Sequence, residues 1–188
     1  KFLGEWGSPR EGMCQLKKPV SIHVVPEWFK LPGDLPGDMV LVVDSANHQI
    51  LVWGGGLGID CVSTELGDYG IGQGRFTRPL DLTFGFVGNE RSVWVLDSGN
   101  ERIQRFAYER SRDPGRPVQI SFRDEISNRN GERGNLKGLV SLAWSHEGSF
   151  DYLYLLGTGC TIQKFRLGNI PVLDTAWPAV APESGLCV

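Results

Sequence analysis

The 188-residue sequence predicts an all-β fold on three observations. Short apolar runs recur at strand length, among them Val20–Val25, Leu80–Phe84 and Leu139–Trp144. Glycine is abundant, at 25 residues, and punctuates those runs, while the 6 tryptophans fall largely on or beside them. Gly-rich turns between β-branched and aromatic runs are the composition of strands rather than helices. A hydrophobic content of 40% and a charged content of 22% fit a soluble folded domain, and the length suffices for one core-burying unit.

Three segments of the chain resemble one another, and a fixed-period repeat governs the reading of everything else. The clearest runs GIGQGRFTRPLDLTF from Gly70, then SVWVLDSGNERIQRF to Phe106. The first copy reads PVSIHVV from Pro19 and LVVDSANHQILVW to Trp53; the third reads GERGNLKGLVSLAW from Gly131 and YLYLLGTGCTIQKF to Phe165. Each copy holds an inner apolar run and a second alternating run (Met39–Val43, Ser92–Leu96, Tyr152–Leu156). A tight turn of the Asp-Ser-Gly-Asn kind and a third run follow, with a weaker fourth at Asp60–Leu66, Val118–Arg123 and Pro171–Trp177. Asp44-Ser45-Ala46-Asn47 matches Asp97-Ser98-Gly99-Asn100, and Gly157-Thr158-Gly159 is its degraded form. Gly and Asn accept positive φ there, and Asp or Ser bonds the local backbone. Four short antiparallel strands per unit, repeated, describe a β-propeller blade.

The pattern GxGxGxFxxP followed by VxVLDSGNxRIQxF resembles the NHL repeat family. Gly72, Gly74, Phe76, Pro79, Asp97, Asn100, Arg102 and Gln104 fall in place in the second copy. The first keeps Pro19, Asp44, Asn47 and Ile50; the third has Gly138 where the others have proline and lacks the turn Asp. The resemblance implies a β-propeller of NHL type with about three four-stranded blades present, over 19–66, 70–124 and 131–177, as part of a six-bladed ring. Residues 1–7, with Phe2 and Trp6, read as the outer strand of a preceding blade, and 171–188 as a strap or a strand completing the last one. Three blades are too few to close, so a protein partner or the rest of the ring is expected against their flanks. The expected function is accordingly a non-catalytic interaction and assembly scaffold.

The positions where ligands meet a propeller mouth are also marked. Lys18, Arg78 and Lys137 stand just before the inner strands, and Ser21, Asp81 and Ser141 just inside them, with His23 two residues further. They read either as a self-satisfied polar ring or as a pocket for an anionic group. Trp28, in a Pro-rich loop, is the candidate interface anchor, beside Phe2, Trp6 and Trp177; Trp53, Trp94 and Trp144 are expected to pack between sheets.

Two other functions stand beside the scaffold. A metal-dependent lyase or hydrolase at the funnel would need converging ligands, and His23, His48 and His146 do not share a register, so no metal and no cofactor are expected. An RNA-binding surface would need clustered cations among aromatics; Arg102, Arg105, Arg110, Arg112 and Arg116 cluster but are diluted by Glu101, Glu109 and Asp113. The net charge of −3 gives nucleic acid little support. Gly70–Gly74 precedes a strand, not a helix, so the phosphate-cradling mechanism is not expected there. No apolar run is long enough for a membrane span, and no signal segment is visible. Cys14, Cys61, Cys160 and Cys187 form no CxxC pair; they read as free thiols, or as disulfides in an extracellular setting, and the compartment stays open.

Overall fold

The computed structural model describes residues 15–31, 39–54, 61–112, 118–127, 135–159, 161–168 and 172–178. Among them lie twelve strands in three antiparallel sheets of four. The first sheet holds β1 (Pro19–Val24), β2 (Met39–Asp44), β3 (Gln49–Gly54) and β4 (Cys61–Leu66). The second holds β5 (Pro79–Val87), β6 (Glu90–Asp97), β7 (Arg102–Arg110) and β8 (Val118–Ser127). The third holds β9 (Leu139–Glu147), β10 (Phe150–Gly157), β11 (Thr161–Arg166) and β12 (Val172–Pro178). Each sheet pairs its strands in chain order, so each is one meander. The only helical turns among the described residues are short 3-10 turns at Glu27–Phe29 and Ser98–Asn100. No helix there is long and apolar enough to cross a membrane.

The three sheets repeat one register. Pro19 pairs with Asp44, Pro79 with Asp97 and Leu139 with Gly157. Each first strand then bulges by one residue, so that Ser21 faces Val43, Asp81 faces Leu96 and Ser141 faces Leu156. A bulge re-aims the side chains after it, and here it does so at the same point three times. This register makes two corrections. Leu139, not Gly138, occupies the place of the two prolines, and Lys137 stands one residue further from its strand than Lys18 and Arg78 do from theirs. The one-residue offset is hidden in the sequence because Gly138 resembles a turn residue and Leu139 is no proline.

The Asp-Ser-x-Asn turn ties each sheet's own lead-in segment. Asp44 accepts hydrogen bonds from the backbone N–H groups of Lys17 and Lys18, at 2.8 and 2.7 Å. Asp97 does the same for Thr77 and Arg78, at 3.0 and 3.2 Å. Asn47 and Asn100 donate to those aspartates, at 2.8 and 2.6 Å. The residue after each Asn, His48 and Glu101, takes the left-handed conformation, with φ of 57° and 51°. In the third sheet the Asp is missing, and what is kept is the backbone bond from the Thr158 N–H to the Gly138 carbonyl, the counterpart of Ser45 N–H to the Lys18 carbonyl in the first.

Two apolar cores separate the sheets. Leu41, Val43, Ile50 and Val52 of the first meet Leu82, Phe84, Val93 and Phe106 of the second. Trp94, Leu96 and Ile103 of the second meet Leu139, Leu142, Leu153 and Phe165 of the third. The same registers are bare at the two ends of the stack. Leu82 and Leu142 are 0% and 5% exposed, but their equivalent Ile22 in the first sheet is 69% exposed. Val43 and Leu96 are 0% and 1% exposed, but their equivalent Leu156 in the third sheet is 44% exposed. Ile162 is likewise 44% exposed, where Ile50 and Ile103 are buried.

Phe2 and Trp6 lie outside the described residues. The fourth strand expected at the start of the 171–188 segment is β12; residues 179–188 lie outside the description, as does the Trp177 side chain. Of the cysteines, Cys61 is described only as the first residue of β4.

Candidate functional site

The first strands β1, β5 and β9 lie side by side, and the sequence-marked residues converge where they begin. Asp81 is the hub. Its Oδ1 accepts from the Ser21 hydroxyl at 2.8 Å and from His23 Nε2 at 2.9 Å. Its Oδ2 accepts from the Ser141 hydroxyl at 2.6 Å and from the Leu142 backbone N–H at 3.1 Å. One carboxylate therefore clasps all three sheets. It is 8% exposed. Burial alone would raise its pKa, but the four donors, His23 and Ser141 foremost, outweigh burial and hold it below the ordinary value.

The Ser–His–Asp grouping is not a nucleophilic relay. A relay uses both imidazole nitrogens, one toward the nucleophile and one toward the acid. Here Nε2 alone meets both Ser21 Oγ, at 2.6 Å, and Asp81. A carboxylate can only accept, so Nε2 carries the proton and cannot serve as base toward Ser21. The donors fill the carboxylate's acceptor sites, which leaves it little to offer a metal.

The three histidines are engaged in separate places. His23 holds Asp81, His48 Nδ1 meets the Thr77 carbonyl at 2.8 Å, and His146 Nδ1 meets Asp151 at 2.9 Å. Among the described residues no group of three or more His, Cys, Asp or Glu side chains could hold a metal ion.

The other end of the first strands is aromatic. Trp28 stacks on Trp144 with ring centroids 5.4 Å apart and packs against Phe29 and Phe86. It remains 52% exposed. The proposed anchor is thus held from beneath by the third sheet, its loop reaching across from the first. Trp94 is buried in the second core and Trp53 is half-buried.

The arginine cluster disperses. Arg102, 2% exposed, binds Asp97, Glu125 and the carbonyls of Ile71, Gly72 and Arg75. Arg105 binds Asp124 and Glu90. Arg110 and Arg112 lie beside Glu109 and Gln119 at the far ends of β7 and β8. Arg116 lies outside the described residues. The Gly70–Gly74 loop turns the Ile71 and Gly72 carbonyls toward Arg102, so it binds a cation where a phosphate cradle presents N–H groups.

No family model matches the chain, and no curated protein matches it.

Sequence reasoning missed the buried role of Arg102 and the lead-in clamps made by two glutamines. Gln104 takes the Gly74 N–H and donates to the Arg75 carbonyl; Gln163 takes the Asn135 N–H and donates to its carbonyl. The signal was present, since both glutamines follow an isoleucine at the same point of their repeats.

Proposed function

We propose that this chain is an arc of a β-propeller of NHL type and works as an assembly and interaction scaffold whose two flanks are covered by further sheets. The observation that carries this reading is the register of exposure. Ile22 at one flank and Leu156 and Ile162 at the other occupy positions that are buried wherever a neighbouring sheet is present. Contiguous exposed apolar surface on sheet faces marks a contact surface. The repeated bulge, the repeated Asp–Asn latch and the meander order support the propeller reading, and the resemblance to NHL repeats supports its type. The saturated Asp81 clasp supports a structural role over a catalytic one.

Sedimentation of the purified chain tests the proposal, comparing wild type with Ile22→Lys/Ile162→Lys. Concentration-dependent association, or binding of a hydrophobic dye, is expected for the wild type and lost in the variant, which keeps its strand circular dichroism. A monodisperse, dye-silent wild-type monomer indistinguishable from the variant would overturn it.

A further inference from the structure

Most described cations are committed. Arg102, Arg105, Arg123 and Lys164 hold carboxylates, Lys30 holds Glu27, and Arg91 holds the Phe29 carbonyl. Arg166 lies over the Phe150 ring. Six side chains break this pattern: Arg112, exposed beside Glu109 past the end of β7, and five others. Lys17, Lys18, Arg75, Arg78 and Lys137 are exposed, and none makes a side-chain hydrogen bond or ion pair among the described residues. All five lie on the short segments that lead into β1, β5 and β9.

Those segments open at one place. Ser21, Asp81 and Ser141 meet at a single carboxylate, and Lys18, Arg78 and Lys137 stand three or four residues before them. At about 3.3 Å per residue, each cation's backbone is within roughly 13 Å of the clasp along its own chain. The three cations therefore stand at the same end of three adjoining strands. The aspartates beneath them are spent: Asp44 and Asp97 are 0% exposed and bound to backbone N–H groups, and Asp81 has four donors. Exposed Glu101 follows the Ser98–Asn100 turn, whose Gly99 and Asn100 lie against Arg78 and Thr77, and Asp68 bonds the Tyr69 N–H.

We infer that this end of the three first strands is an anion-binding mouth that takes a compact phosphate group. Several neighbouring cations, unpaired among the described residues, suit a group that carries more than one charge on tetrahedrally arranged oxygens; the arginine adds a planar fork and the lysines mobile point charges. The clasp forms the floor and keeps the group at the rim. The site does not depend on how the flanks of the stack are covered.

Calorimetric titration of the chain with inorganic phosphate at low ionic strength tests the inference, with acetate as the singly charged control. Saturable phosphate binding is expected. It should weaken at least tenfold in Lys18→Ala/Arg78→Ala/Lys137→Ala and in the charge reversal Lys137→Glu, weaken with added salt, and persist in Arg112→Ala. A phosphoserine peptide that binds more tightly than phosphate, through the same three residues, upholds the site and places the phosphate on a protein. Absence of saturable phosphate binding, or equal binding by the triple variant, overturns the inference. So does a single-stranded RNA oligomer that binds while the triple variant binds it undiminished.

Discussion

Gly85 lies against the indole of Trp144: a β-carbon at position 85 would fall 2.3 Å from the ring carbons. Gly85 is in β5 and Trp144 in β9, so the second and third sheets approach closely because one side chain is missing. The requirement is for space, not for an unusual backbone angle, since Gly85 is not among the positive-φ glycines. Gly85→Val should therefore destabilise by about 1–3 kcal/mol through overpacking. Urea denaturation measures it. Trp144→Ala in the same chain should remove most of that extra cost, and a double-mutant cycle showing simple additivity would contradict the contact.

Asp97 and Asp44 occupy one repeat position with unequal stakes. Asp97 accepts from Thr77, Arg78 and Asn100, and also from Arg102 at 3.1 Å. Removing it leaves a guanidinium that is 2% exposed with Glu125 as its one counter-charge among the described residues. Asp97→Ala should cost about 3–5 kcal/mol, the range for breaking a buried pair. Asp44 holds two backbone N–H groups and Asn47, with no arginine bound to it among the described residues. Asp44→Ala should cost about 1–3 kcal/mol. Denaturation midpoints that reverse this order would refute the assignment of Arg102 to the Asp97 latch.

The Asp81 clasp makes an acid-side prediction. Its carboxyl is held below the ordinary value, against burial and through its four donors, so its folded value lies below that of the unfolded chain, about 3.9. A depressed carboxylate stabilises the fold at every pH above the unfolded value, and that contribution is lost as pH falls through the folded one. The window thus lies below about pH 4. Urea midpoints measured from pH 6 to pH 2 should fall more steeply for wild type than for Asp81→Asn, which has no such proton to take up. Parallel slopes would show that the clasp does not titrate.

Much of this architecture could be read from the amino acids. The Asp44 and Asp97 turns announced themselves because their chemistry is local: the aspartate bonds N–H groups that the same repeat brings to it. The convergence of Ser21, Asp81 and Ser141 was legible once the repeats were aligned, since equal registers on adjacent strands end up side by side. Lys137 was misplaced by one residue because the bulge and the missing proline blurred the third copy's start. The stacking of Trp28 on Trp144 and the vacancy at Gly85 were not legible. Both join different sheets, and no periodicity within one repeat encodes which ring meets which glycine. Arg102 looked like one more cation in a polar loop, although its carbonyl partners at Ile71, Gly72 and Arg75 lie about thirty residues upstream.

The equivalent positions Val43, Leu96 and Leu156 give the most direct reading of the open flank. Their exposures are 0%, 1% and 44%, and their strand partners on the first strands are Ser21, Asp81 and Ser141. Truncation removes similar groups at all three. Val43→Ala and Leu96→Ala should each cost about 2–4 kcal/mol, transfer plus cavity, whatever the protein concentration. Leu156→Ala should cost less than about 1 kcal/mol in dilute solution, where solvent already wets the side chain. If another sheet covers that face on association, wild-type stability rises with concentration by mass action and the Leu156→Ala penalty grows with it. Thermal unfolding of the three variants across a hundredfold concentration range separates these cases. A Leu156→Ala penalty as large as that of Leu96→Ala at the lowest concentration would mean that the third sheet's outer face is already covered within a single chain.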